Sequence, residues 1–108
     1  MSAPWPLVRG RVYGAKLEHF PTEKYYLVVS NNSRNRKLDT ALAVRLTTTR
    51  KPPMDSIVPL SRSEAFTGSV LCDDIVELWQ DEITRDLGAM SPGAMQQGNA
   101  GLAAALGF

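Results

Sequence analysis

Residues 25–48 read YYLVVSNNSRNRKLDTALAVRLTT, and the pattern within this stretch decides the fold. It opens with an aromatic and β-branched run at residues 25–30 and closes with a second apolar run at residues 40–48. Both runs favour strands that are largely buried. The intervening residues 31–39 are polar, basic and rich in asparagine, which is typical of an exposed loop. The stretch therefore predicts two strands joined by a loop, within a mostly β domain.

Shorter runs on either side extend the predicted sheet. We expect further strands at residues 11–17, 55–60, 68–72, 75–79 and 84–90. Residues 18–24 are predicted to form a loop because Pro21 interrupts them. Gly14 lies within the first of these strands, where it indicates a bulge or a close approach of another segment of backbone.

The clearest helix is predicted at the end of the chain. Ser91 is a favourable N-cap, and Pro92 suits the first position of a helix. An apolar stripe at helical spacing follows, interrupted by Asn99; it consists of Met95, Leu102 and Leu106. Gly98 and Gly101 weaken this helix by up to about 1 kcal/mol each relative to alanine. The predicted fold is a β barrel or strongly curved sheet with this helix packed on it.

Length and composition limit the kinds of site that the chain can hold. Its 108 residues fit one domain spanning residues 1–108. With one cysteine, Cys72, and one histidine, it can form neither an internal disulfide nor a zinc site of four cysteine and histidine ligands. No apolar run approaches the roughly 18 residues of a membrane span. The N-terminal MSAPWPLVRGR lacks the features of a signal peptide, so we expect a cytoplasmic protein with no membrane association.

The net charge of +1 conceals an uneven distribution along the chain. Residues 1–51 carry a net charge of +7, whereas residues 52–108 carry −6. Such asymmetry indicates a surface that faces a polyanion, for which single-stranded RNA is the favoured candidate, beside an acidic surface. The alternative is that the two halves pair in the fold and neutralise each other.

Three segments and the two ends of the chain carry a resemblance to a known family. The segments are LVVSNNSRNR at 27–36, AVRLTTTR at 43–50 and GSVLCDD at 68–74; Arg9 and Gly10 precede the first strand, and the last helix ends in LAAALGF. Taken in this order, they resemble the MazF/PemK family of bacterial toxins, and especially its actinobacterial branch. The resemblance extends from Arg9 to Phe108.

This resemblance implies a small SH3-like barrel of the MazF/CcdB type with a C-terminal helix, assembled as a homodimer. It implies the toxin of a type II toxin-antitoxin system, bound by a cognate MazE-like antitoxin. The activity implied is that of a sequence-selective endoribonuclease that needs no metal or other cofactor. In such proteins the ribose 2′-OH attacks the adjacent phosphate of single-stranded RNA and leaves a 2′,3′-cyclic phosphate and a 5′-OH.

The catalytic residues implied by the resemblance are Lys24, Thr47 and Asp73. Lys24 stands where the family places an arginine, and Tyr25 stands where it places a proline. The reaction needs a base for the 2′-OH proton, a cation for the charge on the phosphorane and an acid for the leaving oxygen. The Lys24 ammonium is able to supply the cation and even the acid, although it lacks the fork of a guanidinium. Glu23 and Asp73 are the alternatives for the base.

A second set of residues is predicted to bind the RNA. Arg45 precedes Thr47 by two positions, so a regular strand places both on one face. The full set combines cations, amides and hydroxyls that suit phosphates and unpaired bases; it consists of His19, Ser30, Asn31, Asn32, Arg34, Arg36, Arg45 and Thr48. Aromatic residues also suit base stacking, with burial in the core as the alternative; they are Tyr25, Tyr26, Phe66 and Trp79.

Two other functions remain as alternatives. A relative of the implied fold, CcdB, poisons DNA gyrase through its C-terminal helix and dimer surface, and the lysine in place of arginine at position 24 keeps that function open. The other alternative is a catalytically weak family member that only binds RNA or its antitoxin.

Overall fold

The computed structural model describes residues 5–108; residues 1–4, the start of the segment assessed above for a signal peptide, lie outside the described residues. Six strands, two helices and one 3-10 turn (Gln80–Glu82) follow one another along this part of the chain. In chain order the strands and helices are β1 (Arg11–Leu17), β2 (Phe20–Val28), α1 (Asn32–Lys37), β3 (Thr40–Thr47), β4 (Ile57–Pro59), β5 (Ser69–Trp79), β6 (Ile83–Ala89) and α2 (Pro92–Leu106).

The strands form a single antiparallel sheet in the order β4-β5-β3-β2-β1-β6. Helix α2 packs against β5 and β4 at one side of this sheet. The predicted mostly β domain with a C-terminal helix is therefore confirmed. Within residues 5–108, no helix is both long and apolar enough to cross a membrane.

Both faces of the sheet are buried at its central strands, because alternate residues of these strands belong to two separate hydrophobic clusters. In β2, Tyr26 and Val28 join one cluster and Leu27 joins the other. In β3, Ala43 and Val44 divide in the same way. Continuous apolar runs in both strands are the pattern expected of strands that are covered on two sides.

The segment at residues 31–39 is not the loop that its polarity predicts, because it contains helix α1. Asn31 caps this helix by accepting from the Arg34 amide at 2.8 Å. Asn35 is fully buried, and its Nδ2 donates to the carbonyl oxygens of Leu7 at 3.3 Å and Ser30 at 3.1 Å. A polar residue can be buried when all of its hydrogen bonds are satisfied, and composition does not reveal this.

The loop predicted at residues 18–24 is also wrong, because β2 already begins at Phe20. Phe20 pairs with Leu17 and Lys24 pairs with Ala15, so three residues of β2 lie against Lys16 alone. This bulge accommodates Pro21, which has no amide hydrogen to donate to a regular ladder.

The strands predicted at residues 68–72 and 75–79 are one continuous strand, β5, with an irregular centre. Arg45 of β3 pairs with Leu71, while the preceding Val44 pairs with Ile75. Residues 72–74 therefore bulge from the ladder, and the simple alternation of side chains breaks at Asp73 and Asp74.

Helix α2 begins as predicted, with the Ser91 hydroxyl capping Ala94 at 3.1 Å. Met95 and Leu102 of the predicted stripe pack half-buried against the core, but the most buried positions of the helix are small residues. Ala94, Gly98 and Gly101 are its buried residues, whereas the side chain of Leu106 is 53% exposed. The helix lies so close to Cys72 and Val58 that position 101 has no room for a side chain. Glycines that weaken the isolated helix thus permit its close packing.

We expect Gly101→Ala to lower the free energy of unfolding by about 1–2 kcal/mol, since strain outweighs the gain in helix propensity. An added Cβ would lie 2.6 Å from Cys72 Sγ and 2.9 Å from Val58 Cγ2. Gly98→Ala is the matched control, because its Cβ meets nothing within 4 Å; it should raise stability by up to about 1 kcal/mol. Urea denaturation measures both. Equal stabilisation by the two substitutions would contradict the close packing at Gly101. In the double variant, Cys72→Ala should relieve part of the strain that Gly101→Ala introduces.

Candidate functional site

A groove of about 420 Å³ opens where β2 and β3 approach the segment that joins β4 to β5. One wall comes from β2, the floor from the end of β3, and the opposite wall from residues 65–67. Cationic, hydroxyl and aromatic side chains line it, together with one carboxylate and two aliphatic residues; the full lining is Glu23, Lys24, Tyr25, Arg45, Leu46, Thr47, Thr48, Thr49, Ala65, Phe66 and Thr67.

The pairing of β2 with β3 brings Lys24 and Thr47 together. Tyr26 pairs with Arg45, and Tyr25 pairs with Leu46. Lys24 and Thr47 are the next residues of the two strands beyond the last pair, and both line the groove. Of the residues predicted from the sequence, the groove unites Lys24, Arg45, Thr47 and Thr48.

Thr47 is oriented by its own turn. Its Oγ1 accepts a hydrogen bond from the Thr49 amide at 3.1 Å, which occupies a lone pair. The hydroxyl hydrogen can then donate to another acceptor. A half-buried threonine that lines a groove together with a lysine is suited to contact an anion.

Arg45 is held at the groove by an aspartate of β5. Its Nε donates to Asp74 Oδ2 at 2.9 Å, and the arginine side chain is only 19% exposed. A charge-assisted bond to a carboxylate fixes the guanidinium plane more firmly than a solvated side chain would be fixed.

The structure does not bring Asp73 to this groove, contrary to the prediction for that residue. Asp73 lies in a separate depression with Lys51, Ile57, Leu71 and Asp74; of the two aspartates, Asp74 is the one that also binds Arg45. The bulge at residues 72–74 explains the difference, because it turns Asp74 rather than Asp73 towards Arg45.

Most of the predicted RNA-binding residues around α1 are engaged within the protein. Ser30 is buried, and its hydroxyl accepts from the Leu42 amide at 2.9 Å. Asn32 Oδ1 accepts from the Arg9 amide at 2.8 Å. Arg34 Nη1 donates to the Thr40 carbonyl at 2.6 Å, and Asn31 is the helix cap described above. These residues line no part of the groove, and their contacts show that they stabilise the connection from β2 to β3.

Two further predicted contacts lie on the surface outside the groove. Arg36 is an exposed residue of α1, and His19 is exposed in the turn between β1 and β2. Neither side chain belongs to the groove lining. Their proposed RNA contacts therefore have no support from the geometry of a single protomer.

A polar cluster beside the groove was not predicted from the sequence. Arg85 of β6 binds Glu23 of β2 through Nε at 3.2 Å and Nη2 at 2.9 Å, and Thr84 also donates to Glu23. The hydrogen bonds from Arg85 and Thr84 lower the pKa of Glu23, so it stays a carboxylate and is a weaker base than an ordinary glutamate. Arg85 lies sixty-two positions from Glu23 in the chain, and no local pattern links them.

The opposite wall of the groove is attached to helix α2. Ser91 donates to Glu64 through its hydroxyl and, at 3.3 Å, through its amide. Glu64 directly precedes residues 65–67, whose half-buried Phe66 packs against the α2 side of the core. The N-terminus of α2 thus helps to position residues 65–67 through the hydrogen bonds of Ser91 with Glu64.

Cys72 takes no part in the groove. It is fully buried, and burial raises the pKa of its thiol to about 11. A thiol in this state is neutral near pH 7 and is a poor nucleophile. Across residues 5–108, no group of three histidine, cysteine or carboxylate side chains is placed to hold a metal ion.

The two oppositely charged halves of the chain meet in the fold. Ion pairs join them at Arg11–Asp86 (3.1 Å), Arg45–Asp74 (2.9 Å) and Arg85–Glu23 (2.9 Å). The Arg11–Asp86 and Arg45–Asp74 pairs join a cation of the basic half to a carboxylate of the acidic half, so they neutralise part of the charge asymmetry, as the alternative interpretation held. The Arg85–Glu23 pair does not, because it joins a cation of the acidic half to a carboxylate of the basic half. Two of these pairs, those of Arg45 and Arg85, lie at the groove.

The amino-acid sequence is similar to those of known toxins over almost its whole length. The family described as "PemK-like, MazF-like toxin of type II toxin-antitoxin system" matches residues 8–106. Endoribonuclease MazF4 of Mycobacterium tuberculosis and Endoribonuclease MazF1 of Mycobacterium bovis are each 42% identical over 108 residues. The alignments cover 100% of this chain and 97% of either relative.

Solved structures agree with this similarity. One described as "Endoribonuclease in complex with its cognate antitoxin from Mycobacterial species" has a TM-score of 0.86 at 42% identity, covering 98% of this chain and 97% of that one. The MazE-MazF structure (Form-II) from Deinococcus radiodurans has a TM-score of 0.78 at 18% identity, covering 97% and 99%. At that lower identity the likeness concerns the fold alone.

Proposed function

Because the chain belongs to the PemK-like, MazF-like family of toxins from type II toxin-antitoxin systems, we propose that it is an endoribonuclease that cleaves single-stranded RNA. The observation that carries the proposal is the groove in which Lys24, Arg45 and Thr47 meet. Two cations and an oriented hydroxyl suit a phosphodiester, and the groove lies beside aromatic rings that suit unpaired bases.

In the proposed reaction the ribose 2′-OH attacks the adjacent phosphorus, and the bond from phosphorus to the 5′ oxygen breaks. The 2′-OH proton passes to water, and the 5′ oxygen takes a proton from Lys24, which regains one from solvent. The products are a 2′,3′-cyclic phosphate and a 5′-OH. Lys24 offsets the charge that develops on the phosphorane, and Thr47 donates a hydrogen bond to a non-bridging oxygen. Arg45, oriented by Asp74, binds a phosphate of the same strand.

Lys24 gives this site a different cation from the arginine expected at its position. An ammonium is a compact charge with three donors, and it loses a proton more readily than a guanidinium. Lys24 is therefore proposed both to stabilise the phosphorane and to deliver the proton to the leaving 5′ oxygen. Glu23 is not proposed as the base, since Arg85 and Thr84 occupy its carboxylate.

The partners proposed for this chain follow from its similar proteins. A solved relative is in complex with its cognate antitoxin, so we expect a MazE-like antitoxin to bind this chain and to prevent RNA from entering the groove. We further propose that the toxin acts as a homodimer in the cytoplasm, where its RNA substrate is found.

The direct test is incubation of the purified protein with end-labelled single-stranded RNA in the presence of EDTA. We expect cuts at a few discrete sites, with 5′-OH ends that polynucleotide kinase labels without prior phosphatase treatment. The same RNA annealed into a duplex is the matched control and should resist cleavage. Intact RNA after prolonged incubation would contradict the proposal, and growth arrest with intact RNA and damaged DNA would favour the gyrase poison instead.

A further inference from the structure

The ring of Tyr25 forms part of the groove wall directly beside Lys24. It is 37% exposed and lines the groove together with Phe66. Exposed aromatic rings next to cations are the usual platform on which unpaired bases of single-stranded nucleic acid stack. Core packing does not account for Tyr25, because the neighbouring Tyr26 and Leu27 supply the buried positions of this strand.

Arg85 holds the ring in place from the adjacent part of the sheet. Its Nη2 donates to the Tyr25 hydroxyl at 3.0 Å, and its Cζ lies 5.7 Å from the ring centroid. The same guanidinium binds both carboxylate oxygens of Glu23, which limits its own movement. A guanidinium near an aromatic ring stabilises it electrostatically. The ring is thus oriented before any ligand arrives.

The arrangement has a specific requirement in β1. Gly14 pairs with Tyr25 on one side and with Arg85 on the other. A Cβ at this glycine would lie 2.7 Å from Glu23 Oε2 and 2.8 Å from Thr84 Oγ1. The cluster therefore fits only because position 14 has no side chain. The neighbours are side chains rather than the backbone predicted to approach Gly14, whereas the predicted bulge is present as a register shift between Gly14 and Ala15.

We propose that Tyr25 stacks one unpaired base of the RNA beside the phosphate that is cleaved, and that Arg85 is the positioning residue that orients its ring. The inference rests on the proposed function and adds to it a base-binding position. Orientation before binding matters because a side chain that is already ordered loses little conformational entropy when the base arrives. Arg85 acts through Tyr25 and Glu23 rather than on the reacting atoms.

The test measures binding rather than cleavage. The probe is a fluorescent oligoribonucleotide that spans a mapped cut site and carries a 2′-deoxy sugar before the scissile phosphate, so it lacks the attacking hydroxyl. A series of such probes has one base removed at a time, and fluorescence anisotropy gives the dissociation constants. The proteins are the wild type, Tyr25→Leu, Tyr25→Phe and Arg85→Gln, with Phe108→Leu as a control that removes a 93% exposed aromatic ring outside the groove.

We expect Tyr25→Leu to weaken binding of the intact probe by about 10-fold to 100-fold, the size of one lost stacking contact. The affinity of the wild type should fall by the same factor when one particular base is removed from the probe. Removal of that base should not weaken the binding of Tyr25→Leu any further. Tyr25→Phe should stay within about fivefold of the wild type, because it keeps the ring. In cleavage assays Arg85→Gln should raise KM and leave kcat within a few-fold.

The outcomes separate the inference from the proposed function. In one outcome the wild type binds the probe, while the losses of binding free energy from Tyr25→Leu and from base removal add at every position. That result would overturn the stacking role but leave the proposal that the groove binds RNA unaffected. If Phe108→Leu weakens binding as much as Tyr25→Leu, the inference fails as well. If the wild type binds no single-stranded RNA, both proposals are wrong.

Discussion

Thr47→Ala and Lys24→Ala are each expected to lower kcat for RNA cleavage by about 100-fold to 1,000-fold, the usual loss when one preorganised donor to a transition-state anion is removed. Both side chains face the same groove from opposite strands, and Thr47 is already oriented by its bond with the Thr49 amide at 3.1 Å. Because the phosphorane carries more negative charge than the ground-state phosphate, the loss should fall mainly on kcat rather than on KM.

The conservative variants sharpen this prediction. Thr47→Ser keeps the hydroxyl and should retain most of the activity. If the threonine had a purely steric role, removal of its methyl group would lower the activity instead. Lys24→Arg keeps the charge, but a guanidinium gives up a proton less readily than an ammonium. A loss in this variant as large as that of Lys24→Ala would assign Lys24 to proton delivery, whereas retained activity would assign it to charge stabilisation alone. The double alanine variant should be little worse than either single variant, since both act on one phosphate.

Single-turnover cleavage of a short labelled RNA measures these effects, with Lys37→Ala as the control. Lys37 is an exposed lysine of α1 that does not line the groove, and its loss should change kcat by less than about threefold. Thermal unfolding checks that each variant is folded. If the double alanine variant cleaved RNA at the wild-type rate, the reaction would not take place in this groove.

Asn35→Asp is expected to cost about 3–5 kcal/mol of the free energy of unfolding, the range seen when a buried charge lacks a partner. The substitution barely changes the volume of the side chain. It replaces an amide nitrogen that donates to the Leu7 and Ser30 carbonyls with an oxygen that repels both. A domain of this size has about 5–15 kcal/mol of stability in all, so the variant should be marginally folded at pH 7.

The matched control makes the same substitution in the same helix. Asn32 is exposed, and a carboxylate there would still accept from the Arg9 amide, so Asn32→Asp should change stability by less than about 0.5 kcal/mol. Urea denaturation followed by tryptophan fluorescence measures both variants. The loss in Asn35→Asp should shrink as the pH falls towards about 4, because burial favours the protonated acid. Equal effects of the two substitutions would contradict the buried network.

The chemistry of α1 explains where sequence interpretation of this protein failed. The segment at 31–39 is composed like a loop that could contact RNA, and each of its asparagines and arginines suits a phosphate or a base. Asn31 and Asn35 instead satisfy backbone groups of the protein itself. A side chain offers the same donors to either partner, and only the path of the backbone decides which partner is within reach.

The positions of the two aspartates and of Arg85 depended on tertiary structure for a similar reason. Alternation along a regular strand would turn Asp73 and Asp74 to opposite faces, but the bulge of β5 determines which of them faces Arg45. Arg85 has no sequence neighbour that marks it as part of a site. It reaches Tyr25 because β1 lies between β2 and β6 in the sheet.

The sequence by itself determined the strand-rich fold, the closing helix and the family, because apolar runs, the Ser91-Pro92 start and the ordered motifs are local signals. Through the family resemblance it also predicted that Lys24 and Thr47 lie together, and both line the same groove. Only the tertiary structure decided that Asp74 binds Arg45, that Asn35 is buried and that Arg85 orients Tyr25. Each of these depends on strand order, register or a bulge, which bring together residues that are distant in the chain and leave no periodic pattern within it.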